Sequence, residues 1–280
     1  MSKKIKIYII FSTLIILGFI FYPQRIKIKD FLITPKNVNL PVEQSLNDLS
    51  SLSADLEIND NNNDSAEMIH ESSIQNNDNV TMSPNPRTDN IIKQEINLKV
   101  PFTIQSPDQK WDEKYKEGCE EASILMVYSY LKNKSITVNS AMSDIGKMID
   151  LQITKYGGQY NLSASTTAQL ANQFFGVNHE LVEIKSAQDI KRILSDGNPL
   201  ILPTLGRELY NPNFKSPGPI YHMLVVKGYT KDGIIITNDP GTRKGKDYTY
   251  NPDILFNAIG DWDYNIESPN ANLKIGIILK

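Results

Sequence analysis

Three side chains past residue 100 have the types needed for acyl-transfer chemistry, namely Cys119, His222 and Asp239. A thiol attacks a carbonyl carbon as the thiolate, and an adjacent imidazole or the positive end of a helix dipole lowers its pKa. Cys119 is the only cysteine of the chain, so an internal disulfide and a thiol-rich metal site are excluded. We therefore interpret Cys119 as a candidate nucleophile.

The chain contains three histidines, His70, His179 and His222, and they do not have the spacing of metal ligands. His70 lies in a polar segment and His179 lies beside a predicted loop, whereas His222 begins a predicted strand. By elimination, His222 is the candidate general base. We expect neither a metal nor any other cofactor.

A predicted hairpin brings His222 and an acid together. The turn signal Thr-Lys-Asp-Gly follows Tyr229, and a four-residue loop places Tyr229 opposite Ile234. Carried outward, this register places Leu224 opposite Asp239. Because side chains alternate between the faces of a sheet, His222 shares the face of Leu224 and therefore of Asp239. The hairpin thus predicts that Asp239 orients the imidazole, provided that the loop has an even number of residues.

The nucleophile candidate begins a helix predicted from Cys119 to about Leu131, in which apolar and small residues recur at intervals of three and four. Its position at the helix start favours a lowered thiol pKa. Glu120 and Glu121 follow it, and these carboxylates suit the helix dipole but disfavour a neighbouring thiolate unless they point away.

The remaining elements indicate the fold class. We predict further helices over 139–150, 165–175 and 187–195, and strands over 200–203, 222–229, 233–238 and 274–279. Helices come first and strands later, so the class is α+β with a largely antiparallel sheet.

Composition divides the chain into three parts. In residues 1–30, an uncharged run from Ile7 to Tyr22 is nearly long enough to cross the ~30 Å hydrocarbon layer of a membrane, and it ends in bulky residues rather than a small-x-small cleavage site. We expect a retained membrane anchor with the rest of the chain outside the cytoplasm, or a secreted protein if this segment is cleaved.

Residues 31–95 are expected to be a disordered spacer, because 35–94 is rich in Asn, Asp and Ser and contains no Phe, Trp or Tyr. Residues 96–280 are expected to form one globular domain that acts as a monomer. The net charge of −3, with scattered lysines, excludes the basic surface typical of nucleic-acid binding.

Several blocks of the domain resemble C39-like peptidases. The blocks follow one order, Gln, Cys, His and Asp, and the resemblance covers about Leu98 to Trp262. The matching blocks are Val100–Pro107, Trp111–Asp112, Glu117–Ser123, Gly218–Tyr229 and Thr237–Thr242.

The resemblance implies a papain-like fold in which a nucleophile helix packs on an antiparallel sheet. It implies a cysteine peptidase that acts on a peptide or protein substrate through an acyl-enzyme intermediate. Carried over residue by residue, Cys119 corresponds to the nucleophile, His222 to the general base and acid, Asp239 to the imidazole orienter and Gln105 to an oxyanion-hole donor. Nothing in the chain resembles the transporter part of the relatives that cut leader peptides, so that substrate is not implied.

Two other functions fit the same residues. The domain could be an anchored binding or scaffolding module without turnover, for which Glu120 and Glu121 are the hint, or an acyl transferase that uses the same thioester chemistry. The loop from Tyr210 to Pro219 leads into His222 and is a candidate wall of a cleft. Arg207 and Arg243 are candidates for binding a substrate carboxylate, or serve surface solubility.

Overall fold

The computed structural model describes residues 38–50 and 92–280. The predicted membrane segment and most of the predicted spacer lie outside these residues. Within the described part, no helix is both long and apolar enough to cross a lipid bilayer.

Five α-helices lie within residues 96–280, and polar caps define several of their ends. Thr137 and Ser140 form a capping box, and Gly157 ends the same helix with a left-handed backbone. These caps explain why this helix is longer than the predicted 139–150. The helices are α1 (Cys119–Leu131), α2 (Val138–Tyr156), α3 (Ala164–Phe175), α4 (Ala187–Ser195) and α5 (Pro252–Ala258).

The strands form one antiparallel sheet in the order β2-β9-β3-β4-β5-β6, with β1 paired to β4 and a separate β7–β8 hairpin. Their bounds are β1 Ile96–Asn97, β2 His179–Glu183, β3 Leu200–Leu205, β4 Tyr221–Tyr229, β5 Ile235–Asn238, β6 Tyr248–Tyr250, β7 Asp261–Asp263, β8 Ser268–Asn270 and β9 Ile275–Leu279.

Helix α1 lies at the centre of the domain. It packs on β4 and β3 with one side and against α2 and α3 with the others, so eleven of its thirteen residues are buried. Strand β4 is buried along its whole length. The predicted α+β class is confirmed, as is the papain-like packing of the helix that begins at Cys119 on an antiparallel sheet.

The predicted register near the turn is wrong by one residue. Tyr229 pairs with Ile235, not with Ile234. The loop is one residue longer than the turn signal indicated, because the Thr230 N–H donates to the Ile234 carbonyl at 2.9 Å. An odd-numbered loop of this kind should exchange the two faces of the strand.

A β-bulge at Lys227 corrects that shift. The register changes between Val226 and Gly228, so Lys227 is the additional residue, and beyond it Val225 pairs with Asn238. Asp239 follows Asn238 and therefore returns to the face of His222. The hairpin therefore places His222 and Asp239 on one face as predicted. It does so through a longer loop and a bulge, which the turn signal does not indicate.

Residues 38–50, which belong to the segment expected to be a disordered spacer, include a residue that pairs with the sheet. Gln44 extends the sheet beyond β1: its N–H donates to Asn97 at 2.6 Å, and its carbonyl accepts from Lys99 at 2.7 Å. The fully buried Lys227 ammonium lies 2.6 Å from Glu43 and 2.7 Å from Asp247. Backbone pairing and an ion pair hold residues 38–50, and composition reveals neither.

Candidate active site

His222 and Asp239 form a buried pair at the end of the β4–β5 hairpin. His222 Nε2 lies 2.8 Å from Asp239 Oδ1, and the two side chains are 3% and 0% exposed. Strand pairing fixes the backbone of His222, since Thr204 Oγ1 donates to its carbonyl at 2.9 Å. Because Nε2 faces the carboxylate, Nδ1 is the ring nitrogen that points away from Asp239.

Hydrogen bonds saturate the Asp239 carboxylate. Oδ1 also accepts from the Gly241 N–H at 3.0 Å, and Oδ2 accepts from Tyr250 at 2.8 Å and Asn211 at 3.1 Å. Burial opposes ionisation, but the charge of His222 and these hydrogen bonds hold the pKa of Asp239 below its ordinary value. Asp239 is therefore ionised and accepts from His222 Nε2–H.

Packing holds the His222 ring in one plane. The Phe214 ring meets it edge to face, with centroids 5.2 Å apart. On another side lies Gly241, where an added Cβ would come within 2.8 Å of His222 Cε1 and 3.0 Å of the Phe214 ring. A side chain at Gly241 would therefore displace the imidazole.

Cys119 is the first residue of α1, and its environment opposes ionisation. The sulfur is buried and lies 3.0 Å from Glu120 Oε2. Burial, the Glu120 charge and this hydrogen bond raise the pKa of the thiol well above its ordinary value, although the Met223 backbone lowers it in part. The expectation of a thiol pKa lowered by the helix start does not hold here, because burial and then the inward-facing Glu120 raise the pKa.

Glu120 connects the thiol to its surroundings. Oε1 accepts from the Leu162 N–H at 3.1 Å while Oε2 accepts from Cys119. Burial raises the pKa of Glu120 against the opposing effects of Cys119, Leu162 and the charge of His222. Cys119, Glu120 and His222 thus share one buried neighbourhood.

Glu121 is a second buried carboxyl in the first turn of α1. Gln152 Nε2 donates to its Oε1, and Oε2 has no partner among the described residues. Burial and the charge of Glu120 raise the pKa of Glu121 well above its ordinary value. Both glutamates are buried instead of pointing away from the thiol. Both carboxylates therefore disfavour the Cys119 thiolate.

Replacing Glu120 by glutamine is expected to lower the pKa of Cys119, because the carboxylate nearest the sulfur is removed. Alkylation by iodoacetamide at neutral pH should then accelerate, by up to about tenfold for each unit by which the thiol pKa falls. The rate measured against pH reports the pKa directly. Glu183→Gln, an exposed substitution on β2, serves as the control. An unchanged or slower rate in Glu120→Gln would contradict the charge argument.

Alkaline solution is expected to destabilise the domain. Burial first, and then nearby carboxylates, raise the pKa values of Cys119, Tyr221 and Tyr250 well above the ordinary values of 9.0 and 10.0. The unfolded chain loses these protons first, so stability is present in full below about pH 9 and falls as the pH rises further. Urea unfolding between pH 7 and 11 measures this. Tyr250→Phe should flatten the fall, and an equally steep fall in that variant would contradict the assignment.

Gln105 is buried beside the start of α1. Its side-chain amide donates to the Lys116 carbonyl, and its backbone N–H donates to Pro240 at 3.0 Å. These bonds hold Gln105 between the loop before Cys119 and the loop after Asp239. The residue nominated by resemblance therefore lies near both.

Other nominated residues have different roles. Arg243 donates to Gln109 at 3.0 Å and 2.7 Å and so ties two loops together. Arg207 lines a cavity of 490 Å³ with the loop that contains Phe214. His179 begins β2, directly after a loop as expected, where it pairs with Leu279 and is exposed.

Sequence reasoning missed three contributors to the site, namely Asn211, Tyr250 and the inward-facing role of Glu120. Tyr250 lies on β6, which the sequence analysis did not predict. Asn211 Nδ2 bridges Asp239 and the Tyr250 hydroxyl, at 3.1 Å and 2.9 Å. Asn211 lies in the loop predicted as a cleft wall, but only tertiary contacts reveal that it and Tyr250 bind Asp239.

Comparison with known proteins follows the same part of the chain. The model of the peptidase C39-like family matches residues 97–266, well over half of the chain. No curated protein matches it.

Solved structures provide three further likenesses. A protein from Bacillus anthracis that is assigned to the C39-like peptidases is 18% identical over 66% of this chain and 97% of its own, with a TM-score of 0.43. A fragment of prointerpain A from Prevotella intermedia is 15% identical over 51% of this chain and 41% of its own, with a TM-score of 0.32. UfSP from C. elegans is 10% identical over 66% of this chain and 33% of its own, with a TM-score of 0.32. Likeness at this level does not extend to function.

Proposed function

The chain belongs to the peptidase C39-like family, and from that premise we propose that it is a cysteine peptidase that uses Cys119, His222 and Asp239. The observation that carries the proposal is the buried His222–Asp239 pair, 2.8 Å apart, beside the helix that begins with Cys119. A hydrogen-bonded imidazole and a lone thiol next to the same strand are the groups that amide hydrolysis needs.

In the proposed reaction, the Cys119 thiol attacks the substrate carbonyl while its proton moves to His222 Nδ1. The tetrahedral intermediate collapses: the C–N bond breaks, the imidazolium gives its proton to the leaving amine, and a thioester remains. Water then attacks the thioester, gives a proton to His222, and the S–C bond breaks. The product acid leaves and the proton returns to the thiol.

The raised pKa of Cys119 determines the order of events. The thiol keeps its proton in the free protein, so His222 acts as a base during attack rather than as one half of a preformed ion pair. Substrate that displaces the Glu120 contact would remove the nearest charge that opposes the thiolate. Asp239 remains ionised and stabilises the imidazolium.

Gln105 is the proposed side-chain donor of the oxyanion hole. A primary amide carries two N–H groups, and the bond to Lys116 uses one of them. The second N–H, together with the backbone N–H of Cys119, would stabilise charge on the carbonyl oxygen. Gln105→Ala is thus expected to lower kcat by about 10²–10³-fold with a smaller effect on KM.

The test is cleavage of a peptide library by the full-length chain, with products identified by mass spectrometry. New termini should appear with the wild type and not with Cys119→Ala, which controls for contaminating peptidases. An added amine distinguishes hydrolysis from acyl transfer, because a transferase yields the new amide. Equal product from both proteins would overturn the assignment of Cys119.

A second candidate function, an anchored binding module, is favoured by the environment of the thiol. Glu120 and burial both keep Cys119 protonated. A module of this kind cleaves no peptide, and Cys119→Ala leaves its capture of a partner unchanged. The library experiment therefore separates the two functions.

We also propose that residues 1–30 tether the chain to a membrane and that the peptidase domain lies outside the cytoplasm. The support is the uncharged run from Ile7 to Tyr22. Membrane fractionation should retain the full chain through a carbonate wash, and protease added to intact cells should remove the domain. Recovery in the soluble cytoplasmic fraction would overturn this proposal.

A further inference from the structure

A cavity of 690 Å³ lies next to the segment that precedes Cys119. This volume is typical of ligand sites, which span about 300–1,000 Å³. Aromatic rings and carboxylates dominate its lining, and the residues concerned are Tyr156, Tyr160, Trp262, Tyr264, Glu117 and Glu267.

Leu162 joins this cavity to the candidate site. It lines the cavity, and its N–H donates to Glu120 Oε1. The other oxygen of this carboxylate, Oε2, accepts from the Cys119 thiol. Its carbonyl accepts from the Tyr221 hydroxyl at 2.8 Å. Leu162 alone therefore separates the cavity from the Cys119–Glu120 pair. A peptide bound at Cys119 would extend one of its side chains into the cavity.

The far wall is held in place before any ligand binds. The Tyr264 hydroxyl accepts from the Ser163 N–H and donates to Thr166, both at 3.2 Å. The Trp262 ring packs edge to face on Tyr221, with centroids 5.5 Å apart. Tyr160 and Tyr264 nonetheless remain more than half exposed, so each leaves part of its surface for a ligand to contact.

The charge of the cavity is negative. No lysine or arginine is among its lining residues, and neither Glu117 nor Glu267 forms a salt bridge with a described residue. Two lysines adjoin lining residues along the chain: Lys116 lies 2.6 Å from Glu113, and the Lys155 ammonium lies 5.2 Å from the centroid of the Tyr156 ring. Aromatic faces with two carboxylates attract a cation by both ion pairing and cation–π contact.

We propose that this cavity is a specificity pocket that binds a lysine or arginine side chain of the peptide substrate, at one position next to the scissile bond. The inference rests on the proposed function for the identity of the substrate as a peptide. The two carboxylates pair with the cation, and the aromatic rings cover its aliphatic stem.

Binding tests the pocket without catalysis. The full-length Cys119→Ala chain, in a non-ionic detergent, is titrated into dye-labelled peptides that differ only by lysine or glutamine, and fluorescence anisotropy is recorded. The lysine peptide should bind about tenfold more tightly at low salt, and Glu117→Gln with Glu267→Gln should abolish the difference. The matched control, Glu180→Gln with Glu183→Gln, changes the net charge equally on β2 and should preserve it.

Cleavage tests the same pocket in the active protein. Peptides with lysine at successive positions around the scissile bond should show a lysine preference at one position, which the paired glutamine variant loses. Equal binding of both peptides, or a preference that survives in the paired variant, would overturn the pocket. Selective binding without any cleavage would support the pocket and overturn the peptidase, so the two failures are distinct.

Discussion

Replacing either Cys119 or His222 by alanine is expected to lower kcat/KM by about a millionfold, and replacing both is expected to cost no more. In the proposed reaction, the two residues act on one proton. Without His222, the thiol loses the base proposed to take its proton during attack, in a neighbourhood that already raises its pKa. Without Cys119, the imidazole has no nucleophile to activate. Removing the second member of the pair therefore takes away nothing further.

The measurement is kcat/KM for the single variants and the double variant, with the best peptide from the library. Circular dichroism controls for folding, since His222 is buried and carries part of the Asp239 network. Ser106→Ala serves as a matched control for buried polar loss outside the proposed proton path. Additive losses in the double variant would indicate that the two residues act independently, and would contradict a shared proton transfer.

Asp239→Asn is expected to lower kcat by about ten-thousandfold. The carboxylate accepts from His222 Nε2–H and so keeps Nδ1 free of a proton and able to act as a base. An asparagine amide can instead donate to Nε2, which stabilises the tautomer protonated at Nδ1. His222 would then hold a proton where it must accept one, while its position would scarcely change.

The same substitution has a signature in pH. The pKa of Asp239 is lower in the folded chain than in the unfolded chain, so its contribution to stability is present above its ordinary value of 3.8 and is lost as the pH falls through the folded pKa. Asp239→Asn should remove this part of acid unfolding. Urea unfolding from pH 2 to 6 measures it, and an unchanged acid profile would contradict an ionised Asp239. Tyr250→Phe keeps the carboxylate but removes one of its hydrogen bonds, so acid unfolding should persist with a smaller change in stability.

The sequence alone predicts α1 and β4, because local residue patterns produce these elements. Apolar and small residues at intervals of three and four specify α1, and its observed bounds, Cys119–Leu131, are those predicted. An apolar run that contains β-branched residues and is bounded by turn residues specifies β4, on which His222 lies. Elements of this kind depend on neighbours along the chain, so a single sequence is enough to predict them.

The hairpin shows where local reasoning reaches its limit. The turn signal predicted an even loop, the actual loop is odd, and the bulge at Lys227 restores the face of Asp239. Lys227 is buried where Glu43 and Asp247 neutralise it. A bulge stabilised by residues far along the chain has no local signature, so the right juxtaposition was reached through a wrong register.

The sequence was enough to identify Cys119 as the candidate nucleophile and to place it at the start of a helix. It did not determine the protonation of this residue. Whether Glu120 faces solvent or the sulfur depends on the Leu162 N–H, which binds one of its oxygens, and on the burial of the whole first turn. Charge interactions act through space and vary with burial. The sequence therefore determines the residue types of the site. The raised pKa of Cys119, the hydrogen bonds to the Asp239 carboxylate and the aromatic cavity arise only when distant segments pack together.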